Sequence, residues 1–246
     1  MARKTTKSLS GLPEDIQQSL ERRWNIKYDI HQPFTLSDVH STFLELLLYE
    51  KTKMVLVDGP AGSAKTYLAV LAALLQLSSK DCDKIVYIRS IVESASRSLG
   101  SLPGDIAEKF QPWSMPLSEK LEELLKPQDV QHLFKHHVQC LPVNFARGLT
   151  FKNSTVIIDE AQNMTLNELT TVLTRFGHYS KYIILGDARQ SDINGRSGFE
   201  PILNAFNNEE SESRGIHTFQ FGKAEIVRAP ILQHIVEVLE SIPKMK

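Results

Sequence analysis

Gly59-Pro60-Ala61-Gly62-Ser63-Ala64-Lys65-Thr66 reads as a phosphate-binding loop of the GxxxxGK[ST] type with one departure. A β-rich run, Met54–Asp58, precedes it and a helical pattern follows, which is the setting such a loop requires. Backbone N–H groups of the loop and of the helix N-terminus supply donors to phosphate oxygens. In that arrangement Lys65 reaches the β- and γ-phosphates and Thr66 holds Mg²⁺. Ala64 stands where the pattern has its second glycine. If that position needs a positive φ, alanine costs roughly 1–2 kcal/mol; if not, the methyl only narrows the approach.

Two further strand ends carry polar chemistry. Val156-Ile157-Ile158-Asp159-Glu160-Ala161-Gln162 ends a buried strand in two acids. A carboxylate there orders Mg²⁺ through water, the role expected of Asp159, and Glu160 is next in line to polarise an attacking water. A kinase does not need that second acid, because its nucleophile is a substrate hydroxyl; a hydrolase does. Leu185-Gly186-Asp187-Ala188-Arg189-Gln190 is the third such end, where Gln190 would report γ-phosphate to a neighbouring site. A plain turn explains those residues equally well. Ligands of open α/β sheets bind at the carboxyl ends of strands, so the three ends are expected to share one crevice.

The elements that position these groups follow from pattern. Met54–Asp58, Lys84–Arg89, Thr155–Asp159, Tyr182–Gly186 and His217–Phe221 are short β-rich runs alternating with helical ones. Continuous apolar strands alternating with helices predict a parallel sheet covered on both faces. Leu68, Leu71, Ala72 and Leu75 line the helix after the phosphate loop. Thr165 and Glu168 cap another, lined by Leu166, Leu169, Leu173 and Phe176 and ended by Gly177. Upstream, residues 1–10 form a polar arm, and a helix carries Leu12, Ile16, Leu20 and Trp24. A second helix starts near Thr35, with Thr35 and Asp38 as its capping pair. Pro103, Pro112, Pro116 and Pro127 divide Gly100–Leu141 into short helices, an insertion between two strands. Asn207–Arg214 reads as a polar loop, and a last helix starts near Pro230, burying Leu232, Ile235, Leu239 and Ile242.

Composition sets outer bounds. In 246 residues, 28 Lys and Arg meet 29 Asp and Glu, so any nucleic-acid contact must come from a local patch. The longest apolar run, Tyr67–Leu77, is short of the ~20 residues that span a bilayer, and no apolar segment follows Arg3, Lys4 and Lys7 as in a signal peptide. Cys82 and Cys140 form no CxxC pair. A reduced cytoplasmic compartment with no membrane contact is expected. His132, His136, His137 and Cys140 sit at spacings that suit a metal cluster or a solvated helix face, and the latter is preferred.

The ordered set GPAGSAKT, IIDEAQN, GDARQSD and IVRAPI resembles the PhoH-like family of predicted ATPases. The likeness runs from about Thr35 to Leu239 and includes the segment Ile88–Leu117 and ARGLTF ahead of the acidic strand. It implies a three-layer RecA-like phosphate-loop domain over residues 35–246, similar to the first motor domain of superfamily 1 helicases, with N-terminal helices and the insertion at about 100–141. It implies ATP hydrolysis with Mg²⁺, coupled to RNA or single-stranded DNA. Carried over by position, Lys65, Thr66, Asp159, Glu160 and Gln190 keep their roles, and Arg228 matches an arginine that contacts γ-phosphate. Arg89, Arg147 and Thr150 fall in segments that in the helicases face nucleic acid. The departures are Ala64, Ser90 in place of the family's usual proline, and no glutamine near His40 to read adenine. One RecA-like domain without a second implies a homo-oligomer, a hexameric ring in which Arg228, or failing that Arg147, serves a neighbour's site. A monomer with Arg228 acting in cis is the alternative. For the activity, a nucleotide-gated binding module and a small-molecule kinase stay as alternatives.

Overall fold

The computed structural model describes residues 28–31, 35–90, 106–193, 195–227, 231 and 238. β1 (Met54–Asp58) and β2 (Lys84–Arg89) have the bounds that pattern predicts. Ser154–Asp159, Lys181–Gly186 and Ile216–Gln220 each begin one residue earlier than their apolar runs suggest. A sixth strand, Val138–Pro142, lies at the end of the segment expected to be a purely helical insertion. In chain order it is β3 and the others are β4, β5 and β6. It is an edge strand paired only to β2, with three of its five residues not fully buried, so its apolar signal is weak.

The strands form one sheet in the order β3-β2-β4-β5-β1-β6, every pairing parallel. β1, which launches the phosphate loop, and β4, which ends in the acids, are thereby separated by β5. Alternate side chains feed two cores. Val55, Val57, Ile85, Tyr87 and Ile157 pack on one face with Phe43, Leu68 and Leu121. Leu56, Val86, Ile88 and Ile158 pack on the other with Met164, Leu169 and Phe199. Both faces are covered, as a parallel sheet requires. Chain, sheet and layers are those of a RecA-like phosphate-loop domain.

Four helices cover the first face: α1 (Asp38–Leu48), α2 (Lys65–Ser79), α3 (Ile106–Leu124) and α4 (Pro127–His136). Pattern places the start of α1 at Thr35, but the cap is Ser37, whose hydroxyl accepts from the His40 N–H while the His40 ring accepts from the Ser37 N–H. Buried residues run without a break from Tyr67 to Ser78 in α2, because the helix is enclosed between the sheet and its neighbouring helices. α3 passes through Pro112 and Pro116, where proline chemistry predicts a break. Leu117, Leu121 and Leu124, all fully buried, anchor its later turns and outweigh that cost. Pro127 sits at the start of α4, where its missing N–H costs nothing.

On the other face lie α5 (Leu166–Leu173), α6 (Phe199–Phe206) and the short α7 (Glu209–Ser213). Thr165 and Glu168 form the expected capping box of α5. Leu166, 51% exposed, turns away from the core instead of lining it, and Phe176 is also part-exposed. α5 ends at Leu173 with Thr174 as its cap, so Gly177 does not terminate it. Close packing explains Gly177 instead, since a Cβ there would lie 2.0 Å from the Phe151 carbonyl oxygen. α7, capped by Asn208, occupies the predicted loop Asn207–Arg214.

The expected arm and helix before residue 28 lie outside the described residues, as does the C-terminal helix apart from the exposed helical positions Ile231 and Val238. Among the described residues, no helix is long and apolar enough to cross a membrane.

Candidate functional site

The loop between β1 and α2 closes on itself through its own polar groups. Ser63 donates to the Pro60 carbonyl from its backbone N–H at 3.3 Å and from its hydroxyl at 2.9 Å. Lys65 Nζ donates to the Gly59 carbonyl at 2.5 Å and to the Pro60 carbonyl at 2.9 Å. Gly62 has φ +87° and Ala64 has φ +59°. The left-handed branch therefore holds at Ala64, at roughly 1–2 kcal/mol for a residue with a Cβ. Ala64 caps α2 without any side-chain hydrogen bond, so the first-turn donors of that helix are left for a ligand. A second strap comes from beyond β6, where the Val227 N–H donates to the Gly62 carbonyl at 2.9 Å.

Asp159 faces this loop from the end of β4. Thr66 Oγ1 donates to its two oxygens at 3.3 and 3.4 Å, and the Tyr87 hydroxyl donates to Oδ2 at 2.6 Å. The Glu160 N–H adds a bond to Oδ1 at 3.0 Å. Burial first, then the Asp159 charge and the bond to it, holds the Tyr87 phenol protonated well above its ordinary value. Tyr87 is thus a fixed donor to the carboxylate that faces Thr66.

Glu160 also has a left-handed backbone, φ +54°, which turns its carboxylate out of the strand. Oε1 lies 3.5 Å from Nη2 of Arg89, and Oε2 accepts from Gln162 Nε2 at 2.5 Å. Gln162, buried, completes a bridge by accepting the Asp187 N–H at 3.1 Å on its own carbonyl oxygen. One amide side chain therefore ties the acidic strand end to the end of β5. There the Asp58 carboxylate accepts the Ala188 N–H at 2.9 Å, and the Gln190 N–H bonds the Asp187 carbonyl in a turn.

These three strand ends enclose a cavity of about 410 Å³ lined by the loop, Thr66, Asp159, Glu160, Gln162, Asp187 and Gln190. Lys120 and Glu123 of α3, ion-paired with each other, form part of its wall, as does Val227. Burial lowers the Lys65 ammonium pKa, against the opposing pull of Asp187, Asp159, Glu160 and Asp58. Burial raises the Asp187 carboxyl, while the Arg189 N–H and Lys65 pull it back down. Lys65 and Lys120 meet Glu123, Asp159, Glu160 and Asp187 in the lining, so an anion held by the loop would need a cation beside it to offset these acids. Thr66 and Asp159 offer hard oxygen donors facing each other, the chemistry that Mg²⁺ requires.

The remaining sequence candidates are dispersed. Arg89 belongs to the site. Arg147 is exposed, capping the turn Val143–Ala146 that follows β3. Thr150 lines a separate cavity of about 880 Å³ with Lys53, Ser154 and Lys181, at the opposite, amino-terminal edge of the sheet. Arg228 lies outside the described residues; its neighbour Val227 is the one bonded to the loop. His40 is buried in the α1 cap, its ring 5.5 Å from that of Phe221. The rings of His132, His136 and His137 are 4.7–6.4 Å apart, yet no group of three metal-ligating side chains is placed to hold an ion among the described residues. Tyr87, Gln162, Lys120 and Glu123 were not legible as site residues. The period-2 position of Tyr87 and the DEAQ spacing of Gln162 were available signals; nothing local marks Lys120 or Glu123.

Comparison with known sequences gives the arrangement a lineage. The family model described as PhoH-like protein matches residues 37–240. The chain belongs to the PhoH-like family. It is 36% identical over 194 residues to a PhoH-like protein of Synechocystis, covering 78% of this chain and 58% of that one. It is 35% identical over 192 residues to a PhoH-like protein of Bacillus subtilis, with 78% and 59% covered. With Protein PhoH of Escherichia coli it shares 36% over 189 residues, 75% and 52%. The chain thus spans little more than half the length of these PhoH-like relatives. Membership makes it a PhoH-like domain with the phosphate-loop NTPase fold.

Proposed function

We propose that this domain hydrolyses ATP with Mg²⁺ and couples the hydrolysis to RNA or single-stranded DNA. The observation that supports hydrolysis is the second acid: Glu160 stands at the mouth of a cavity whose floor is the phosphate loop and the Thr66–Asp159 pair. In this reading the loop N–H groups and Lys65 bind the phosphates, Lys65 exchanging the Gly59 and Pro60 carbonyls for phosphate oxygens. Lys120 adds a second cation from α3. Thr66 and Asp159 would hold Mg²⁺, which supplies charge neutralisation between phosphate oxygens. Glu160 orients the attacking water, and Gln162 fixes the carboxylate that does so. Gln190, at the cavity wall, senses γ-phosphate, and Arg228 or the exposed Arg147 completes a neighbouring copy's site in a hexameric ring. Such a motor would work in the cytoplasm, where ATP and polynucleotides meet.

Phosphate release measured with and without single-stranded RNA or DNA tests this. The rate is expected to rise with polynucleotide, and the rise to weaken as salt increases, because backbone contacts release counterions. ATP binding without turnover in either condition would favour the nucleotide-gated module. Turnover only with a small-molecule acceptor would favour a kinase.

A further inference from the structure

Glu160 is held by two partners of opposite character. Gln162 is 5% exposed and anchored at its other end to the Asp187 backbone, a fixed support. Arg89 is different: its side chain is 32% exposed and the Glu160 side chain 39%, and they meet at 3.5 Å. Arg89 is the last residue of β2, in register with Asp159 of β4, so its guanidinium emerges beside the acid yet faces outward. A half-exposed pair of this kind is weak and easily exchanged, whereas the amide support is not. The guanidinium charge beside Oε1 draws the carboxylate towards the end of β2 and restrains the direction in which it can turn.

We propose that Arg89 is a positioning residue that restrains Glu160 until a phosphate of a bound polynucleotide draws the guanidinium away. The exchange trades a carboxylate for a phosphodiester anion on the same cation, so the guanidinium stays paired, while the Glu160 carboxylate keeps its Gln162 bond at Oε2 and is released to turn Oε1 to the attacking water. Arg89 thereby serves both as a nucleic-acid contact and as the element that couples such contact to turnover. This rests on the ATPase reading above and deepens it by stating how the polynucleotide acts.

The test compares wild type, Arg89→Gln and Arg89→Lys for kcat and KM of ATP, with and without poly(U), between low and moderate KCl. Without poly(U), Arg89→Gln is expected to raise kcat about two- to five-fold, the range that a half-exposed pair allows, with KM unchanged and stimulation by poly(U) lost. Arg89→Lys keeps part of both the restraint and the stimulation. In wild type, the basal rate rises with salt as the pair is screened, while the stimulated rate falls. A basal kcat in Arg89→Gln that is unchanged or lower, or a stimulation factor equal to that of wild type, overturns the proposal. So does a wild-type basal rate that does not rise with salt. Failure of the underlying reading looks different: wild type then hydrolyses nothing in any condition, while still binding ATP.

Discussion

Ala64 and Glu160 share a backbone and differ in everything else. Each follows a strand, each stands at the N-terminal boundary of a helical turn, and each holds a positive φ that a residue with a Cβ adopts at a cost of roughly 1–2 kcal/mol. At Ala64 the side chain is a methyl resting against the core beneath α2, with no polar role. The loop around it keeps its shape through the bonds of Ser63, Lys65 and Val227. At Glu160 the same twist aims a carboxylate into the cavity and onto Gln162 and Arg89. Strain at the first position is a property of a path that the chain must follow; at the second it is inseparable from the side chain that it presents. At these two positions the strain accompanies the site, although Lys80, Asn153 and Tyr179 hold positive φ away from it.

Four measurements sharpen or break that contrast. The largest effect is expected from Lys65→Ala, which removes the loop's cation and both of its carbonyl tethers: nucleotide affinity should fall at least about 100-fold in a fluorescent-analogue titration, a loss of the size that a charged phosphate contact supports. Glu160→Gln should leave that affinity within about two-fold and cut kcat by roughly 100-fold or more, since the acid acts on the water and not on the ground-state phosphates. Equal loss of affinity in the two variants would remove the role given to Glu160. Ala64→Gly should raise stability by about 0.5–1 kcal/mol in urea unfolding, strain relief being partly offset by the extra freedom of glycine in the unfolded chain. Nucleotide affinity should not fall; if it did, the methyl would prove to contribute to binding after all.

The smallest effect concerns His40, which lies under the loop beside the Ser63 backbone. Burial lowers its pKa from 6.5, against backbone bonds to Ser63 and Glu225 and the Glu225 charge. The unfolded chain then binds the proton more readily than the fold does. The contribution is complete above the unfolded value and is lost as pH falls from 6.5 towards the lower folded value. The urea midpoint should therefore be lower at about pH 5.5 than at about pH 7.5, and His40→Asn should flatten that part of the profile. An unchanged slope would show that the imidazole does not titrate with unfolding.

The strands that bear the site were legible because their central positions are buried and apolar: β1, β2, β4 and β5 each carry a core of Val, Ile or Leu with polar residues mainly at their ends. β3 escaped because an edge strand buries only part of itself, and α3 because local proline chemistry predicts breaks that three buried leucines override. In the site, loop and acids were readable from spacing, since their chemistry depends on neighbours in the chain. Tyr87 reaches Asp159, and Lys120 the cavity wall, from distant segments through the strand order and the packing of α3, which no local pattern encodes. Thr150 shows the reverse: a segment-level likeness located it, and the fold carries it to the far edge of the sheet.

The strand order also sets a timetable. β1 pairs with β5 and β6 and with no strand made before them. On a ribosome adding about 5–20 residues per second, roughly 160 residues separate the emergence of Asp58 from that of Ile216, a delay of about 8–30 s. Throughout that interval a strand with four apolar residues in succession, Met54 to Val57, lacks its second neighbour, and the first protection open to it is the packing of α1 and α2 around it. The nascent chain is thus most exposed to aggregation and to chaperones along β1, the strand that launches its phosphate loop. The first chemical element to be synthesised is among the last to be locked in place.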